Sequence, residues 1–192
     1  MTKNPRLRMC DLLCVFLVFL SFVAAARAQP GYSKHTLTVG AGGISPVSGW
    51  KTFSYDAGPA VNLSYGFRLD RHLQAEVGYT GALSRYTDCY KFGCSRERKR
   101  VSLMDYGLRA ILPLKNEHVQ ILAGLGGGYI WNDLGYLNSF HNGVLIQYSG
   151  RMSLALDARQ RFRVGSTLRF WRDIGRPTQQ WLTLTGDFTY GF

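Results

Sequence analysis

Long apolar runs are almost absent from this sequence. Only Leu12–Ala26 is predominantly apolar over its length, and no later segment approaches the roughly 20 apolar residues that a transmembrane helix needs. A membrane protein built from several helices is therefore excluded. If the rest of the chain lies in a membrane, it must form a closed β-barrel, because only helices and closed barrels satisfy every backbone polar group in lipid.

The single apolar run is typical of an export signal. A basic segment precedes it, formed by Lys3, Arg6 and Arg8. Ala26 and Ala28 then place small residues where a signal peptidase cleaves. A retained membrane anchor is the alternative, although the run is short for a membrane span. We expect residues 1–28 to be a cleaved signal peptide and residues 29–192 to form one domain.

Cysteine is also scarce, with four residues in the whole chain, and only Cys89 and Cys94 follow the predicted cleavage site. An isolated pair in an exported chain indicates a disulfide. The C-x4-C spacing also occurs in metal sites, but no histidine or second cysteine pair stands nearby to complete a tetrahedral ligand set. We therefore predict a Cys89–Cys94 disulfide, no metal ion and no cofactor.

The strongest pattern in the sequence is the alternation in its last stretch, Gln179–Phe192. Phe192, Tyr190 and Phe188 lie on one face of this stretch, with Thr189 and Asp187 among the small and polar residues between them. A period of two residues predicts a β-strand with one apolar face and one polar face.

Seven earlier segments alternate in the same way. The predicted strands cover approximately residues 35–41, 58–67, 73–83, 102–114, 119–131, 144–156, 162–170 and 179–192. The connections between them alternate strictly between long and short. In transmembrane barrels the periplasmic turns are short and the outer loops are longer. The sequence therefore predicts an all-β fold, an eight-stranded antiparallel up-and-down transmembrane barrel.

The final strand and this rhythm of connections resemble the small eight-stranded bacterial outer-membrane β-barrel domains, the OmpA-like transmembrane class. The resemblance implies that the barrel-assembly machinery recognises the last strand, with Phe188, Tyr190 and Phe192 as the assembly signal. It also implies that the protein is located in the outer membrane. A soluble lipocalin-like barrel alternates too, with its apolar face inward. Aromatic residues near the strand ends and glycine-rich polar faces favour the membrane form.

Charged residues occur on the polar, inward phase of the predicted strands. They are Glu76, Asp105, Arg109, Arg151, Arg163, Arg169 and Asp187. Charges inside so narrow a barrel must pair to offset their desolvation, and an eight-stranded lumen is just wide enough for side chains to fill. We predict a charge network that plugs the lumen, with Arg163 reaching one end because arginines outnumber the acids. The alternatives are a gated polar pathway or a catalytic acid.

Residues suited to catalysis are few. His141, with Ser139 two residues before it, is the only candidate for an enzyme that modifies lipid A, and no acidic residue alternates beside the pair. A single loop histidine is more typical of a polar surface, so we predict no enzymatic activity. The glycine-rich segment 124–128 is not expected to bind phosphate, because a strand rather than a helix continues after it.

The predicted loop between residues 84 and 100 is strongly basic. Its cationic residues are Lys91, Arg96, Arg98, Lys99 and Arg100. Nucleic acid is scarce outside a cell, whereas lipopolysaccharide phosphates are abundant there and pair well with arginine. The alternative is an ordinary solvated loop.

The sequence as a whole predicts an outer-membrane barrel with a structural or surface-interaction role. A narrow pore for small solutes and a lipid A-modifying enzyme are the alternatives. The expected partners are outer-membrane lipid, lipopolysaccharide and the assembly machinery, with no nucleic acid, and the protein is expected to be a monomer.

Overall fold

Eight antiparallel strands form one closed sheet in the computed structural model, which describes residues 33–48, 53–90, 93–114, 118–132, 142–174 and 180–192. The strands are β1 (His35–Ser48), β2 (Gly58–Arg68), β3 (Leu73–Tyr90), β4 (Gly93–Leu114), β5 (Val119–Asn132), β6 (Asn142–Ala155), β7 (Phe162–Asp173) and β8 (Gln180–Gly191). A short segment, Phe53–Tyr55, also pairs with β3. The predicted fold class is confirmed. The predicted signal peptide lies outside the described residues.

Pairing between the first and last strands closes the barrel. The ladder runs from Thr36 opposite Gly191 to Ser48 opposite Gln180. At its end, the backbone N–H of His35 donates to the Phe192 carbonyl at 3.0 Å, and the N–H of Phe192 donates to the His35 carbonyl at 2.9 Å. Within the barrel wall, each of the eight strands therefore has a neighbour on both sides, which removes the open edges at which sheets aggregate.

The barrel is apolar outside and polar inside. In β8, Thr183, Thr185 and Asp187 are buried, whereas Leu184 is 59% exposed and Phe188 is 42% exposed. Large apolar side chains are exposed around the wall in the same way. A soluble barrel would show the opposite arrangement, so this exterior is suited to contact with lipid. Among the described residues, no helix is long and apolar enough to cross a bilayer.

The two ends of the barrel differ. The turn end carries the short connections β2–β3, β4–β5 and β6–β7, together with His35 and Phe192. The loop end carries the connections between β1 and β2, β3 and β4, β5 and β6, and β7 and β8. The connections alternate between the two ends as predicted, but the one between β3 and β4 spans only residues 91–92 and is therefore not long.

The prediction of a long loop at residues 84–100 is wrong. β3 and β4 continue as a paired hairpin as far as Tyr90 opposite Gly93. Polar residues occupy both faces of this extension, so its sequence has no alternation of apolar and polar residues to mark it as a strand. The prediction that β1 ends at residue 41 is also wrong, because its ladder with β8 continues to Ser48.

Candidate functional site

Glu76 lies at the centre of the lumen and contacts three arginines. Its Oε1 atom is 2.7 Å from Nη2 of Arg109, 3.3 Å from Nη2 of Arg151 and 3.4 Å from Nη2 of Arg169. All four side chains are buried. They come from strands β3, β4, β6 and β7, so this contact spans the interior rather than joining neighbours along one strand.

Two further carboxylates complete this group, which we term the lumen charge network. Oδ2 of Asp105 is 3.8 Å from Nε of Arg169, and Oδ2 of Asp187 is 3.6 Å from Nε of Arg151. Asp187 also accepts hydrogen bonds from the hydroxyls of Thr167 and Thr185. The structure thus brings together six of the seven charged residues that the sequence placed inside.

Arg163 is the seventh residue, and it lies nearer the turn end. Its Nε donates to Ser153 Oγ at 3.2 Å, and its Nη2 donates to the backbone carbonyl of His118 at 3.0 Å. His118 belongs to the connection before β5. The expectation that one arginine would reach an end of the barrel agrees with this position.

Glycines opposite the charged residues make room for the network. A Cβ atom at Gly124 would lie 2.7 Å from Cγ of Arg109, which is its cross-strand partner. A Cβ atom at Gly78 would lie 2.7 Å from Oδ1 of Asp105. The glycine-rich segment of β5 therefore has a packing role, because any larger residue at position 124 would displace the arginine.

A layer of apolar side chains lies inside the barrel toward the loop end. We term it the apolar layer, and it consists of Ile44, Ala60, Ala82, Val101, Leu103, Ile130, Leu145, Trp171 and Trp181. Trp171 and Trp181 are cross-strand partners in β7 and β8. This layer was not predicted from the sequence, although all nine residues follow the inward phase of their strands. The signal that could have revealed the layer was a large apolar residue on the inward face of a strand whose other inward residues are small or polar.

The basic residues of the β3–β4 hairpin separate onto two faces. Arg100 is opposite the exposed Leu83, and Arg98 is opposite Arg85. Side chains alternate between the two faces of a strand. Arg85 therefore lies on the same outward face of the hairpin as Leu83, and Arg96 and Arg98 lie on that face with Arg100. We term these four arginines the arginine face, and all are exposed. Arg85 was missed by the sequence analysis, because only the strand register reveals it.

The other predicted anion contacts do not join this face. Lys99 lies on the inward phase, and its Nζ pairs with the Glu97 carboxylate. Lys91 lies outside the described residues.

Cys89 and Cys94 are directly opposed in the β3–β4 ladder. Residues opposed in an antiparallel pair have Cα atoms about 4.5–5.5 Å apart, which is within the range that a disulfide requires. The disulfide remains a prediction.

The C-terminal aromatic residues form a cluster at the turn end. The Tyr190 ring lies 5.1 Å from Phe162 and 5.8 Å from Phe192, measured between centroids. Phe192 in turn stacks on His35 at 5.5 Å. The cluster therefore spans both ladders of β8. Whether the assembly machinery recognises Phe188, Tyr190 and Phe192 is a separate prediction.

The described residues contain no group of three or more His, Cys, Asp or Glu side chains that could hold a metal ion. Ser139 and His141, the candidates for catalysis, lie outside the described residues.

Comparison with known proteins identifies the fold. No protein-family model matches the chain, and no curated protein matches it in sequence. Solved structures do match. OprG from Pseudomonas aeruginosa has a TM-score of 0.63 at 9% identity, covering 84% of this chain and 99% of that one. Neisserial surface protein A has a TM-score of 0.58 at 18% identity, with coverage of 84% and 99%.

A third match is Ail, the attachment invasion locus protein of Yersinia pestis, solved in complex with the heparin analogue sucrose octasulfate. Its TM-score is 0.56 at 10% identity, covering 82% of this chain and 97% of that one. At such identities the likeness concerns the fold, and the narrower resemblance to the OmpA-like class remains a prediction. The chain has the fold of the small eight-stranded bacterial outer-membrane barrels, and its apolar exterior agrees with the predicted location in the outer membrane.

Proposed function

We propose that this protein is a non-enzymatic outer-membrane barrel with a structural or surface-interaction role, and that its lumen is closed to solutes. The observation that carries the proposal is the contact of Glu76 with arginines from three other strands, which places a cross-link of charged groups through the middle of the interior. The apolar layer supports it further, because water and ions are costly to place among buried tryptophan, leucine and isoleucine side chains.

Conductance in planar lipid bilayers tests the closed lumen. The refolded protein should give no steady channel current. A larger porin inserted in the same bilayer is the positive control and should give one. A steady current from the wild-type chain would instead support the alternative function, a narrow pore for small solutes.

Mass spectrometry of lipid A tests the non-enzymatic assignment. Lipid A from cells that express the protein should match lipid A from cells with an empty vector. Loss or gain of an acyl chain, abolished by His141→Ala, would contradict the proposal and support a lipid-modifying enzyme.

We further propose that the arginine face contacts lipopolysaccharide phosphates. Arg100 is opposite Leu83, where the apolar wall gives way to basic residues. Alternate residues on a strand are about 7 Å apart, so Arg98 and Arg96 continue upward in steps that suit the headgroup region. Arginine binds phosphate through two parallel hydrogen bonds. The binding of a sulfated sugar by Ail, a protein of similar fold, is consistent with an anionic partner.

Two neighbouring substitutions give a matched test of this contact. Arg98→Gln and Lys99→Gln each remove one positive charge, from the outward and inward phases of the same strand. We expect Arg98→Gln to weaken lipopolysaccharide binding about tenfold, which corresponds to about 1.4 kcal/mol, and Lys99→Gln to change it little. Equal effects of the two substitutions would indicate diffuse charge attraction and would contradict a defined site.

Two further proposals concern the assembly of the barrel and its oligomeric state. We propose that the barrel-assembly machinery receives the chain through Phe188, Tyr190 and Phe192, and that the folded protein is a monomer. Deleting Phe192 should reduce the yield of membrane-inserted barrel in cells. Light scattering in detergent should give the mass of one chain.

A further inference from the structure

A small cavity opens at the turn end of the barrel, below the lumen charge network. Its volume is about 40 Å³. Five arginines line it, namely Arg68, Arg151, Arg159, Arg161 and Arg163, and the described lining includes no Asp or Glu. The cavity is therefore a strongly basic space, distinct from the network above it, where three carboxylates interleave with the arginines.

The arginines reach the cavity from different depths. Arg151 is buried and joins it to the lumen charge network, whose carboxylates Glu76 and Asp187 lie on the network side. Arg163 is also buried, and it donates to two neutral groups, the Ser153 hydroxyl and the His118 carbonyl. Arg159 and Arg161 are exposed and belong to the connection between β6 and β7, at the mouth.

Neutral hydrogen-bonding groups complete the lining. Gln74, Gln120, Ser153 and Thr189 contribute polar side chains, and all four are buried. A single water needs on the order of 10–15 Å³ of cavity volume. The cavity therefore has room for roughly three waters or for one tetrahedral oxyanion. Guanidinium groups match the geometry of phosphate and sulfate oxygens, and amide and hydroxyl donors satisfy the oxygens that remain.

We propose that this cavity binds a phosphate- or sulfate-type oxyanion from the periplasm. In outer-membrane barrels the short turns face the periplasm, so the mouth is accessible from that side. The lumen charge network and the apolar layer close the opposite side. The cavity therefore holds its anion without passing it on, and the occupant is either a free oxyanion or a phosphate group on a larger periplasmic molecule.

Titration with inorganic phosphate tests the proposal on the folded chain in a non-ionic detergent. The ionic strength is held constant with chloride, and binding is followed by calorimetry. The wild-type protein should show saturable binding at one site. Arg159→Gln/Arg161→Gln should weaken it at least tenfold. Arg71→Gln/Arg172→Gln, which removes the same charge at exposed positions outside the cavity, should leave it unchanged.

Both double variants alter exposed side chains, so both should keep the gel mobility of a folded barrel, which is the control for folding. Tighter binding of glycerol phosphate than of inorganic phosphate would support a phosphate group on a larger molecule, and the reverse order would support the free ion. Absence of saturable binding at constant ionic strength, or equal weakening in the two double variants, would overturn the proposal.

Discussion

Replacing Glu76 by Gln is the most direct perturbation of the lumen charge network. The substitution keeps the size of the side chain and removes its charge. Arg109, Arg151 and Arg169 would then share only the carboxylates of Asp105 and Asp187. Among the described residues, neither of these carboxylates lies within 4.0 Å of an Arg109 nitrogen, so Arg109 loses the most.

The magnitude follows from the burial of the group. Removing one partner of a buried ion pair costs about 3–5 kcal/mol, because it leaves an uncompensated charge. We expect about 3 kcal/mol for Glu76→Gln, at the lower end of this range, since Arg151 and Arg169 keep a second carboxylate at 3.6 and 3.8 Å. The lipid-facing substitution Leu184→Ala should cost about 2 kcal/mol, from three lost carbons at about 0.8 kcal/mol each.

Equilibrium unfolding in urea, with the barrel inserted in phospholipid vesicles, measures these free energies. A double-mutant cycle adds a sharper criterion: Arg109→Gln should destabilise the wild-type protein but relieve part of the cost of Glu76→Gln, because the stranded cation is removed. A free-energy cost for Glu76→Gln no larger than that for Leu184→Ala would contradict a stabilising role of the lumen charge network. Simple addition of the costs of Glu76→Gln and Arg109→Gln would contradict a direct interaction between the two residues.

Three other predictions concern the wall and the hairpin. The folded protein should migrate faster on gels before boiling than after, because a closed barrel resists unfolding by detergent; equal mobility together with no β-signal in circular dichroism would exclude a barrel. In unreduced, denatured protein, a thiol reagent should label neither Cys89 nor Cys94, and labelling at both would rule the disulfide out. Gly126→Ala should destabilise the barrel by about 1–3 kcal/mol, because the new Cβ would lie 2.0 Å from the backbone oxygen of Tyr106. Gly150→Ala is the matched control, with no atom within 4 Å of its Cβ, and urea unfolding should show it to be neutral or slightly stabilising.

The sequence predicted which face of each strand points into the barrel, because an alternating strand has only two faces and one of them is apolar. Once the apolar face of β8 is taken as outward, Asp187 must be inward, and the same argument places Arg169 and Glu76. All three are buried in the structure. The order and pairing of strands followed as well, since an up-and-down barrel pairs each strand with its neighbours in the chain.

Contacts across the lumen were not predictable in the same way. Glu76 meets Arg169 only because β3 and β7 face each other at one height, and that height depends on the stagger accumulated around the ring. Sequence alternation carries no information on stagger. Arg85 was missed for a related reason, because it joins Arg98 through the register of a hairpin whose polar sequence predicts a loop.

The ladder between β1 and β8 joins residues that are much farther apart in sequence than those joined by the other seven ladders. The Thr38 and Thr189 hydroxyls, 2.9 Å apart, belong to residues 151 positions apart, whereas the hairpin partners Ala155 and Arg163 are close neighbours in sequence. Loop-closure entropy grows with the logarithm of this separation, so forming the first contact across the closing ladder costs about 2.5 kcal/mol more than forming a hairpin contact. Seven ladders can therefore form locally as the chain folds, while the eighth waits for them. If the wall ever parts sideways within the bilayer, the ladder between β1 and β8 is where reclosure would be slowest.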